Sequence, residues 1–207
     1  PTAPLPIASA TSTGVALAAK RLGIDRFHLA PVGEGCSSSG EFWEAMNFAG
    51  ARGLPICYMI QNNQIALDTY VSGQSGAETF GDKGHAMGIP SWTIDGSDPA
   101  KFYSSTAVAR EFATTGGGAT LIHVETMRGC GHAHHHDDLY LGAASGNPPG
   151  YVDRKLLSYW ADKDPIPNHR ELLIHLGANE SSLIEMASEE EALVEAARAE
   201  LEKMAWP

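Results

Sequence analysis

The chain has little positive charge, few cysteines and no long apolar run. Lysine and arginine total 14 against 25 acidic residues, which gives a net charge of −11 over 207 residues. This balance argues against a nucleic-acid binder, which needs basic clusters to neutralise phosphates. Cys36, Cys57 and Cys130 are far apart and form no CxxC pair, so a reducing compartment is favoured over a disulfide framework. No apolar run reaches the length of a membrane-spanning helix.

The first residues also lack two common features, an initiator Met and a secretion signal. Residues 1–10 contain neither the basic end nor the apolar block of a signal peptide. Because no initiator Met is present, we expect the chain to be a piece of a longer polypeptide that lacks its N-terminal part. Hydrophobic residues make up 43% of the chain, which is enough for a buried core.

Helical and extended apolar patterns alternate along the chain. Helices are predicted over 13–22, 41–52 and 98–114, strands over 27–32, 55–60, 92–94 and 120–125, and long loops over 67–87 and 128–147. Strands that alternate with helices predict an α/β fold, with a parallel sheet and helices on both faces. Ligands of such sheets bind beyond the carboxyl ends of the strands.

The chain is expected to divide into three parts. Residues 1–147 would form the α/β domain, residues 148–180 an irregular, proline-rich linker, and residues 181–207 a C-terminal helix. The helical pattern is clearest from 188 to 204, where Ser188 and Glu191 can form a capping box before an apolar stripe.

A carboxylate stands between two glycines directly after the first predicted strand, in residues 33–36, called the glycine loop below. Gly33 and Gly35 let the backbone approach a ligand, and the next helix would point its N-terminus at a phosphate there. Glu34 would repel that phosphate unless a metal ion lay between them, and Mg²⁺ takes oxygen ligands from both groups. A plain turn with a surface glutamate is the commoner interpretation of a lone GxG.

An asparagine pair follows the second predicted strand, in residues 62–65, called the asparagine turn below. Asn62 and Asn63 alone indicate a loop cap. With the glycine loop before them, and a helix and a strand between, they resemble the thiamine diphosphate signature. In that signature, GDG or GEG precedes Asn or Asn-Asn by roughly thirty residues.

The surrounding residues are similar to one family, the α subunit of the thiamine diphosphate-dependent 2-oxo acid dehydrogenases of pyruvate, branched-chain and acetoin type. Residues 33–49 carry the resemblance, with 94–98 similar to a VDGxD element and 127–132 similar to a TYR…GH loop. Glu34, in place of the more usual Asp, is closer to the branched-chain type. The resemblance extends over about 4–140 and, more weakly, over the C-terminal helix.

The resemblance implies that residues 1–147 hold thiamine diphosphate and magnesium in the fold of that family. The implied cofactor-binding residues are Leu5, Gly33, Glu34, Gly35, Cys36, Asn63, Ile65, Arg128 and His132. Magnesium would be bound by Glu34, by the side chain of Asn63 and by the carbonyl of Ile65. Gly33 would offer its backbone to the aminopyrimidine ring.

The remaining positions would contact other parts of the cofactor. The amides of Gly35 and Cys36 would face the diphosphate, which Arg128 and His132 would reach from the second loop. Leu5 would bend the cofactor, and His132 would be the catalytic residue near the reacting carbon. All of these roles are implied by the resemblance alone.

The family resemblance further implies a reaction and its partners. The reaction is oxidative decarboxylation of a 2-oxo acid, after which the acyl group passes to a lipoyl-bearing acyltransferase. In this family a β subunit supplies the activating glutamate, so we expect activity only within an α/β heterotetramer. The expected location is the cytoplasm, or the mitochondrial matrix in a eukaryote. Gln61 replaces a basic residue, so one diphosphate contact would be lost, and Ala133 replaces a regulatory serine, so phosphorylation there is excluded.

A histidine cluster offers a competing site. His132 and residues 134–138 could ligate zinc through imidazoles and carboxylates. Adjacent histidines on a loop rarely converge on one ion, so we favour a loop that caps the cofactor, with His132 as its working residue, over a solvated loop or a zinc site. Two alternatives remain open: another thiamine diphosphate enzyme of transketolase-like type, and a non-catalytic assembly fragment.

Overall fold

In a computed structural model, the chain forms a four-stranded parallel sheet flanked by helices. The structure describes residues 5–146 and 149–204, apart from the side chain of His134. The helices are α1 (Ile7–Arg21), α2 (Gly40–Arg52), α3 (Gly81–Ala86), α4 (Pro99–Thr114), α5 (Asp137–Tyr140), α6 (Arg154–Ala161), α7 (Pro165–His175) and α8 (Glu180–Lys203). The strands are β1 (His28–Gly33), β2 (Ile56–Asn62), β3 (Ile65–Ala66), β4 (Thr69–Tyr70), β5 (Ser91–Asp95) and β6 (Thr120–Glu125).

The strand order β1-β2-β6-β5 brings the ends of the two sequence motifs together. All neighbouring strands in this sheet run parallel, so their carboxyl ends lie at one edge. At that edge Gly33 is paired with Gln61, and Asn62 with Glu125. The glycine loop and the asparagine turn therefore leave the sheet side by side.

Helices cover both faces of the sheet, as the alternating pattern predicts. Within β2, Ile56, Tyr58 and Ile60 belong to a buried cluster that includes residues of α1 and α2. Cys57 and Met59 point the other way and join a second cluster that includes a residue of α4. The predicted α/β class is confirmed.

The predicted helices and strands of this region are present, with shifted ends. Helix α4 begins as expected, because the side chain of Asp98 accepts hydrogen bonds from the N–H groups of Ala100 and Lys101. Helix α1 begins six residues earlier than the periodicity indicates. The buried face of its first turns carries the polar residues Ser9 and Thr13, so the apolar pattern that would predict a helix is missing there. Thr13 lies within hydrogen-bond distance of the Tyr58 hydroxyl.

Residues 67–87 do not form one long loop, so that prediction is wrong. Strands β3 and β4 pair antiparallel as a short hairpin, and α3 follows after a 3-10 turn at Val71–Gly73. These elements contain two to six residues, too few for hydrophobic periodicity to reveal.

The expected irregular linker over 148–180 is also wrong in its described part, which contains α6 and α7. Asp153 and Asp164 cap these helices by accepting hydrogen bonds from backbone N–H groups of their first turns. Pro165 and Pro167 lie in the first turn of α7, where a missing N–H costs little. The chain divides into two compact units, Pro1–Lys163 and Asp164–Pro207, and the expected boundary at 147/148 lies outside the described residues.

The C-terminal helix is present and longer than its clearest sequence pattern. It begins at Glu180, where the side chain of Asn179 accepts a hydrogen bond from the N–H of Ser181 over 2.8 Å. The predicted capping box of Ser188 and Glu191 therefore falls inside the helix. None of its 24 residues is buried. No helix within the described ranges is long and apolar enough to cross a membrane.

Candidate functional site

A cleft of about 380 Å³ opens at the carboxyl edge of the sheet, between the glycine loop and the asparagine turn. Its lining residues are Leu5, Gly33, Glu34, Gly35, Cys36, Asn63, Ile65, Ala66, Leu67 and His132. Every residue that the sequence nominates for the site is among them except Arg128. Residues from four separate parts of the sequence thus meet at one place.

Glu34 is buried in the wall of this cleft and binds the asparagine turn directly. Only 1% of its surface is exposed, and its Oε2 atom accepts a hydrogen bond from the backbone N–H of Asn63 over 3.2 Å. The N–H and hydroxyl of Ser37 both donate to the carbonyl of Glu34, at 3.1 and 2.6 Å. No ion pair to Glu34 is formed by the described residues. A buried carboxylate without a counter-charge is costly, so this position favours a cation.

The asparagine turn holds an unusual backbone conformation. Gln64 has φ +77°, a left-handed value that residues with a side chain rarely adopt. Two side chains stabilise the turn: Asn62 Oδ1 accepts from the N–H of Gln64 at 3.0 Å, and Asn63 Oδ1 from that of Ile65 at 3.4 Å. Side-chain bonds to the backbone two residues on are typical of asparagine in turns. These two hydrogen bonds fix the conformation of the turn, and with it the position of Asn63 in the cleft wall.

The two glycines of the glycine loop differ in what surrounds them. A Cβ atom on Gly35 would lie 2.5 Å from the Cβ of Ala66, so the packing of the chain itself requires glycine there. A Cβ atom on Gly33 would meet nothing within 4 Å. The space beside Gly33 is therefore open to a ligand.

A short turn separates the glycine loop from α2, which begins within one residue of the predicted start at 41. A 3-10 turn at Cys36–Ser38 follows the loop, and α2 begins only at Gly40 because Ser39 adopts an extended conformation with ψ 140°. The Cys36 side chain is half-buried beside the cleft, and burial raises the pKa of its thiol. Cys36 therefore stays a neutral thiol at neutral pH.

Arg128 lies next to the cleft rather than in its wall. Its Nη2 atom donates to the carbonyl of Leu67, a lining residue, and to the hydroxyl of Tyr151 at 2.8 Å. The guanidinium carbon lies 4.7 Å from the ring centre of Tyr140. Its Nε and Nη1 atoms are buried and have no hydrogen-bond partner among the described residues. Unpaired charged donors of this kind are rare in proteins and favour an anion nearby.

The histidine cluster, which lies on the loop from His132 to residue 138, contributes one side chain to the cleft. His132 is exposed and is one of the lining residues of the cleft. His135 and His136 are not among the lining residues. The loop is held by Asp137, whose carboxylate accepts from the N–H of Gly131 over 2.7 Å. Leaving aside the undescribed His134 side chain, no three His, Cys, Asp or Glu side chains are grouped so that they could hold a metal ion.

The structure adds one residue that sequence analysis did not place at the site. His123 is 1% exposed and lies within hydrogen-bond distance of Asn62 and of Thr93, at 3.1 and 3.0 Å. Burial lowers the pKa of its imidazole to about 4, although the Asp82 carboxylate acts to raise it. A lone histidine in an apolar strand carries no motif, so only the strand order reveals its neighbours.

Comparison with known proteins places the chain among its relatives. The family model described as "Dehydrogenase E1 component" matches residues 2–206. The pyruvate dehydrogenase E1 component subunit alpha of Bacillus subtilis is 38% identical over 183 residues, which are 86% of this chain and 47% of that protein. The same subunit of Bacillus cereus is 37% identical over 199 residues, 93% of this chain and 51% of that protein. The chain spans about half the length of these curated relatives.

A solved structure from Mycobacterium smegmatis is also similar. It is described as an enzyme thought to depend on thiamin diphosphate, and it overlaps 60% of this chain and 23% of its own. Its TM-score is 0.49 and its sequence identity 19%, a likeness too weak to carry an argument.

Proposed function

The chain belongs to the dehydrogenase E1 component family, and from that premise we propose that it carries the diphosphate half of a thiamine diphosphate and magnesium site. The enzyme would be the α subunit of a decarboxylating 2-oxo acid dehydrogenase. The observation that carries this proposal is the buried carboxylate of Glu34, bound to Asn63 in a cleft where no ion pair from the described chain balances its charge.

Magnesium suits the oxygen atoms that this part of the chain offers. The ligands would be the Glu34 carboxylate, the Asn63 side-chain oxygen and the Ile65 carbonyl, all hard donors of the kind that Mg²⁺ prefers. The backbone N–H of Asn63 already donates to the Glu34 carboxylate, which keeps these two residues next to each other at the cleft. Phosphate oxygens and water would supply the remaining ligands, as is common for Mg²⁺ bound with a phosphate.

The diphosphate suits the positive charge of Arg128. Its Nε and Nη1 atoms have no partner among the described residues, and an anion beside the cleft would give them acceptors for charge-assisted hydrogen bonds. The amides of Gly35 and Cys36, both residues of the cleft wall, would face the same group. The open space beside Gly33 would admit the aminopyrimidine ring, and Leu5 would support the bend of the cofactor from the cleft wall.

The chemistry would be decarboxylation of a 2-oxo acid, for which bound thiamine diphosphate supplies the nucleophilic carbon and the electron sink. The chain's own residues would bind and orient. His132, exposed at the cleft, would hold or donate a proton at the substrate oxygen.

The reaction would need partners. A β subunit would supply the activating glutamate across a shared interface in an α/β heterotetramer, and a lipoyl-bearing acyltransferase would receive the acyl group. The three cysteines are unpaired, which suits work in the reducing cytoplasm. The proposal covers 2-oxo acids as a class. The Bacillus relatives are pyruvate enzymes by name, whereas Glu34 is closer to the branched-chain type.

Binding of thiamine diphosphate with Mg²⁺ tests the proposal. We would measure it by calorimetry on the chain assembled with its β subunit, for the wild type and for Glu34→Ala and Asn63→Ala. Each variant should weaken binding by at least tenfold, since each removes a metal ligand. Glu44→Ala and Asn47→Ala, at exposed positions of α2, are matched controls and should bind normally. Unchanged affinity in both site variants would remove the metal assignment.

The same preparation separates the alternatives. Turnover of 2-oxo acids with a dye acceptor supports the dehydrogenase over a transketolase-like enzyme, which would act on sugar phosphates. Failure to bind cofactor even with the β subunit would favour an assembly fragment. One equivalent of zinc, found by elemental analysis and lost in a His132→Ala variant, would favour the histidine-loop site.

A further inference from the structure

His123 connects three strands of the sheet behind the asparagine turn. On β6 it is paired with Ile60 of β2 on one side and with Thr93 of β5 on the other. Side chains two residues apart on a strand share a face, so Asn62 points to the same side as Ile60. The side chains of Thr93, His123 and Asn62 therefore form a row that ends at the turn.

The orientation of the Asn62 amide follows from its partners. A backbone N–H can only donate, so the Asn62 atom that faces the N–H of Gln64 at 3.0 Å must be the oxygen. The amide nitrogen consequently faces His123, at 3.1 Å from its Nε2 atom. An amide nitrogen has hydrogens to donate and no lone pair to accept with, so Nε2 must accept.

The same logic fixes the proton on the imidazole. With Nε2 as acceptor, the proton of the neutral ring lies on Nδ1, which then donates to the Thr93 hydroxyl oxygen over 3.0 Å. A doubly protonated ring would set its Nε2–H against the amide hydrogens of Asn62. Burial, which lowers the pKa of His123 to about 4, keeps the ring neutral at physiological pH.

This row of side chains ends at the asparagine turn, where the backbone has a left-handed conformation. Gln64 holds φ +77°, and the bond from its N–H to Asn62 Oδ1 stabilises that conformation. Two further bonds tie the turn to the residue after β6: the N–H of Thr126 donates to the carbonyl of Asn62 at 2.9 Å, and Gln64 Nε2 donates to the carbonyl of Thr126 at 3.1 Å. Without an acceptor on His123, the Asn62 side chain would be held only by its bond to the N–H of Gln64.

We propose that His123 is a positioning residue for the metal site, acting through Asn62 to hold the turn that presents Asn63. The inference rests on the proposed function, since it gives a role to a residue that touches neither metal nor cofactor. Residues that orient metal ligands from behind typically change metal affinity by about 10- to 100-fold when replaced. His123 fits this description through two hydrogen bonds in sequence, from its own ring to Asn62 and from Asn62 to Gln64.

The first test needs no cofactor. Nitrogen NMR of the chain labelled with ¹⁵N-histidine reports which ring nitrogen of His123 carries the proton. We expect a neutral ring with the proton on Nδ1 at pH 7. A ring protonated on Nε2 alone, or on both nitrogens, would overturn the proposal, because Asn62 would then have no acceptor.

The second test uses two substitutions of His123, each of which replaces only one of the two ring nitrogens. Glutamine places an amide where Nε2 lies, and asparagine places one where Nδ1 lies. His123→Gln can therefore still accept from Asn62, whereas His123→Asn keeps only the contact with Thr93. We would measure amide hydrogen exchange at Gln64, and the affinities for Mg²⁺ and thiamine diphosphate in the assembly with the β subunit.

The proposal expects the two variants to differ. His123→Asn should lose protection at Gln64 and bind Mg²⁺ about tenfold more weakly, while His123→Gln should stay within about twofold of the wild type. Equal losses in both variants would mean that His123 serves core packing alone, and would overturn the proposal. Glu34→Ala in parallel separates the two ideas: if it binds normally, the proposed function fails, while the exchange result still decides the role of His123.

Discussion

Gly35 and Ala66 approach each other so closely that a Cβ on the glycine would lie 2.5 Å from the Cβ of Ala66. This contact joins the glycine loop to β3, which continues the asparagine turn. Gly35 has φ −61°, a value that any residue can adopt, so the requirement for glycine is spatial rather than conformational. The two sequence motifs are thus packed directly against each other.

Gly35→Ala should destabilise the chain by about 1–3 kcal/mol, because the new methyl group must displace Ala66. Thermal or urea unfolding measures this loss. The double variant Gly35→Ala with Ala66→Gly should recover most of it, since the space is returned from the other side. Gly33→Ala is the control: its methyl group meets open space, so stability should hold while cofactor affinity falls. A stable Gly35→Ala chain would contradict the spatial argument.

Arg128→Met should lower the affinity for thiamine diphosphate by tenfold or more, because hydrogen bonds to charged groups contribute about 1.5–3 kcal/mol. Affinity for thiamine itself should not change, since it carries no phosphate. Calorimetry with both ligands gives the comparison. Tyr151→Phe removes one partner of Arg128 without removing its charge, and we expect it to have a smaller effect. An equal loss for both ligands would mean that Arg128 only supports the fold.

His132→Ala should lower the turnover of 2-oxo acids by about 10²- to 10⁴-fold, the usual contribution of a positioned acid or base. Binding of the cofactor should change much less, because His132 is only one of ten residues that line the cleft. Steady-state kinetics with a dye acceptor, in the assembly with the β subunit, measures the effect. His85→Ala, at an exposed position outside the cleft lining, should leave turnover unchanged. Full activity of His132→Ala would remove its proposed role.

Lys163→Met should raise the pKa of Asp95 from its present value of about 2. Desolvation acts to raise that pKa, but hydrogen bonds from Ser97 and from Lys163, the latter at 2.9 Å, lower it further. Carbon NMR titration of the Asp95 carboxyl group measures the shift. Lys101→Met is the control, because Lys101 pairs with Asp98 and not with Asp95. An unchanged pKa would mean that Ser97 alone holds the carboxylate ionised.

The free energy of unfolding should fall as the pH drops from about 6.5 to about 4, in part because of His123. Burial lowers its pKa to about 4 in the folded chain from 6.5 in the unfolded chain, so the unfolded chain binds the extra proton in that interval. The stabilisation that comes from His123 is fully present above pH 6.5 and is lost as the pH falls through the pKa of about 4 in the folded chain. The loss is at most about 1.4 kcal/mol per pH unit. Urea unfolding at several pH values measures it. His123→Gln should flatten the dependence, and an identical slope would contradict the assignment.

The fold could be predicted from local patterns, whereas the family resemblance was needed to name most residues of the cleft wall. Apolar runs marked the strands, and the rule that ligands bind beyond strand ends placed both the glycine loop and Asn63 at the carboxyl edge of the sheet. The start of α1 could not be predicted, since Ser9 and Thr13 are buried polar residues. Helices α6 and α7 were missed because Asp153 and Asp164 look like loop residues until their side chains are seen to cap a helix.

His123 could not be predicted from the sequence for a different reason. Its partners lie 61 residues earlier, at Asn62, and 30 residues earlier, at Thr93. Their meeting depends on the order β1-β2-β6-β5, in which β6 is inserted between β2 and β5. Strand order is a property of the whole sheet, and no local pattern encodes it.

The row from Thr93 through His123 to Asn62 has a consequence for protein engineering. A designer who grafts the glycine loop and the asparagine turn onto another α/β scaffold transfers the proposed ligand atoms. The side chains of Thr93 and His123, which support the turn from behind, are left out. The recipient would need a hydroxyl and an imidazole on two adjacent strands, in the register that aligns Thr93 with His123. A transplant of the short motif alone should yield a site with correct ligands at loosely defined positions, while one that carries β5 and β6 along should keep its geometry.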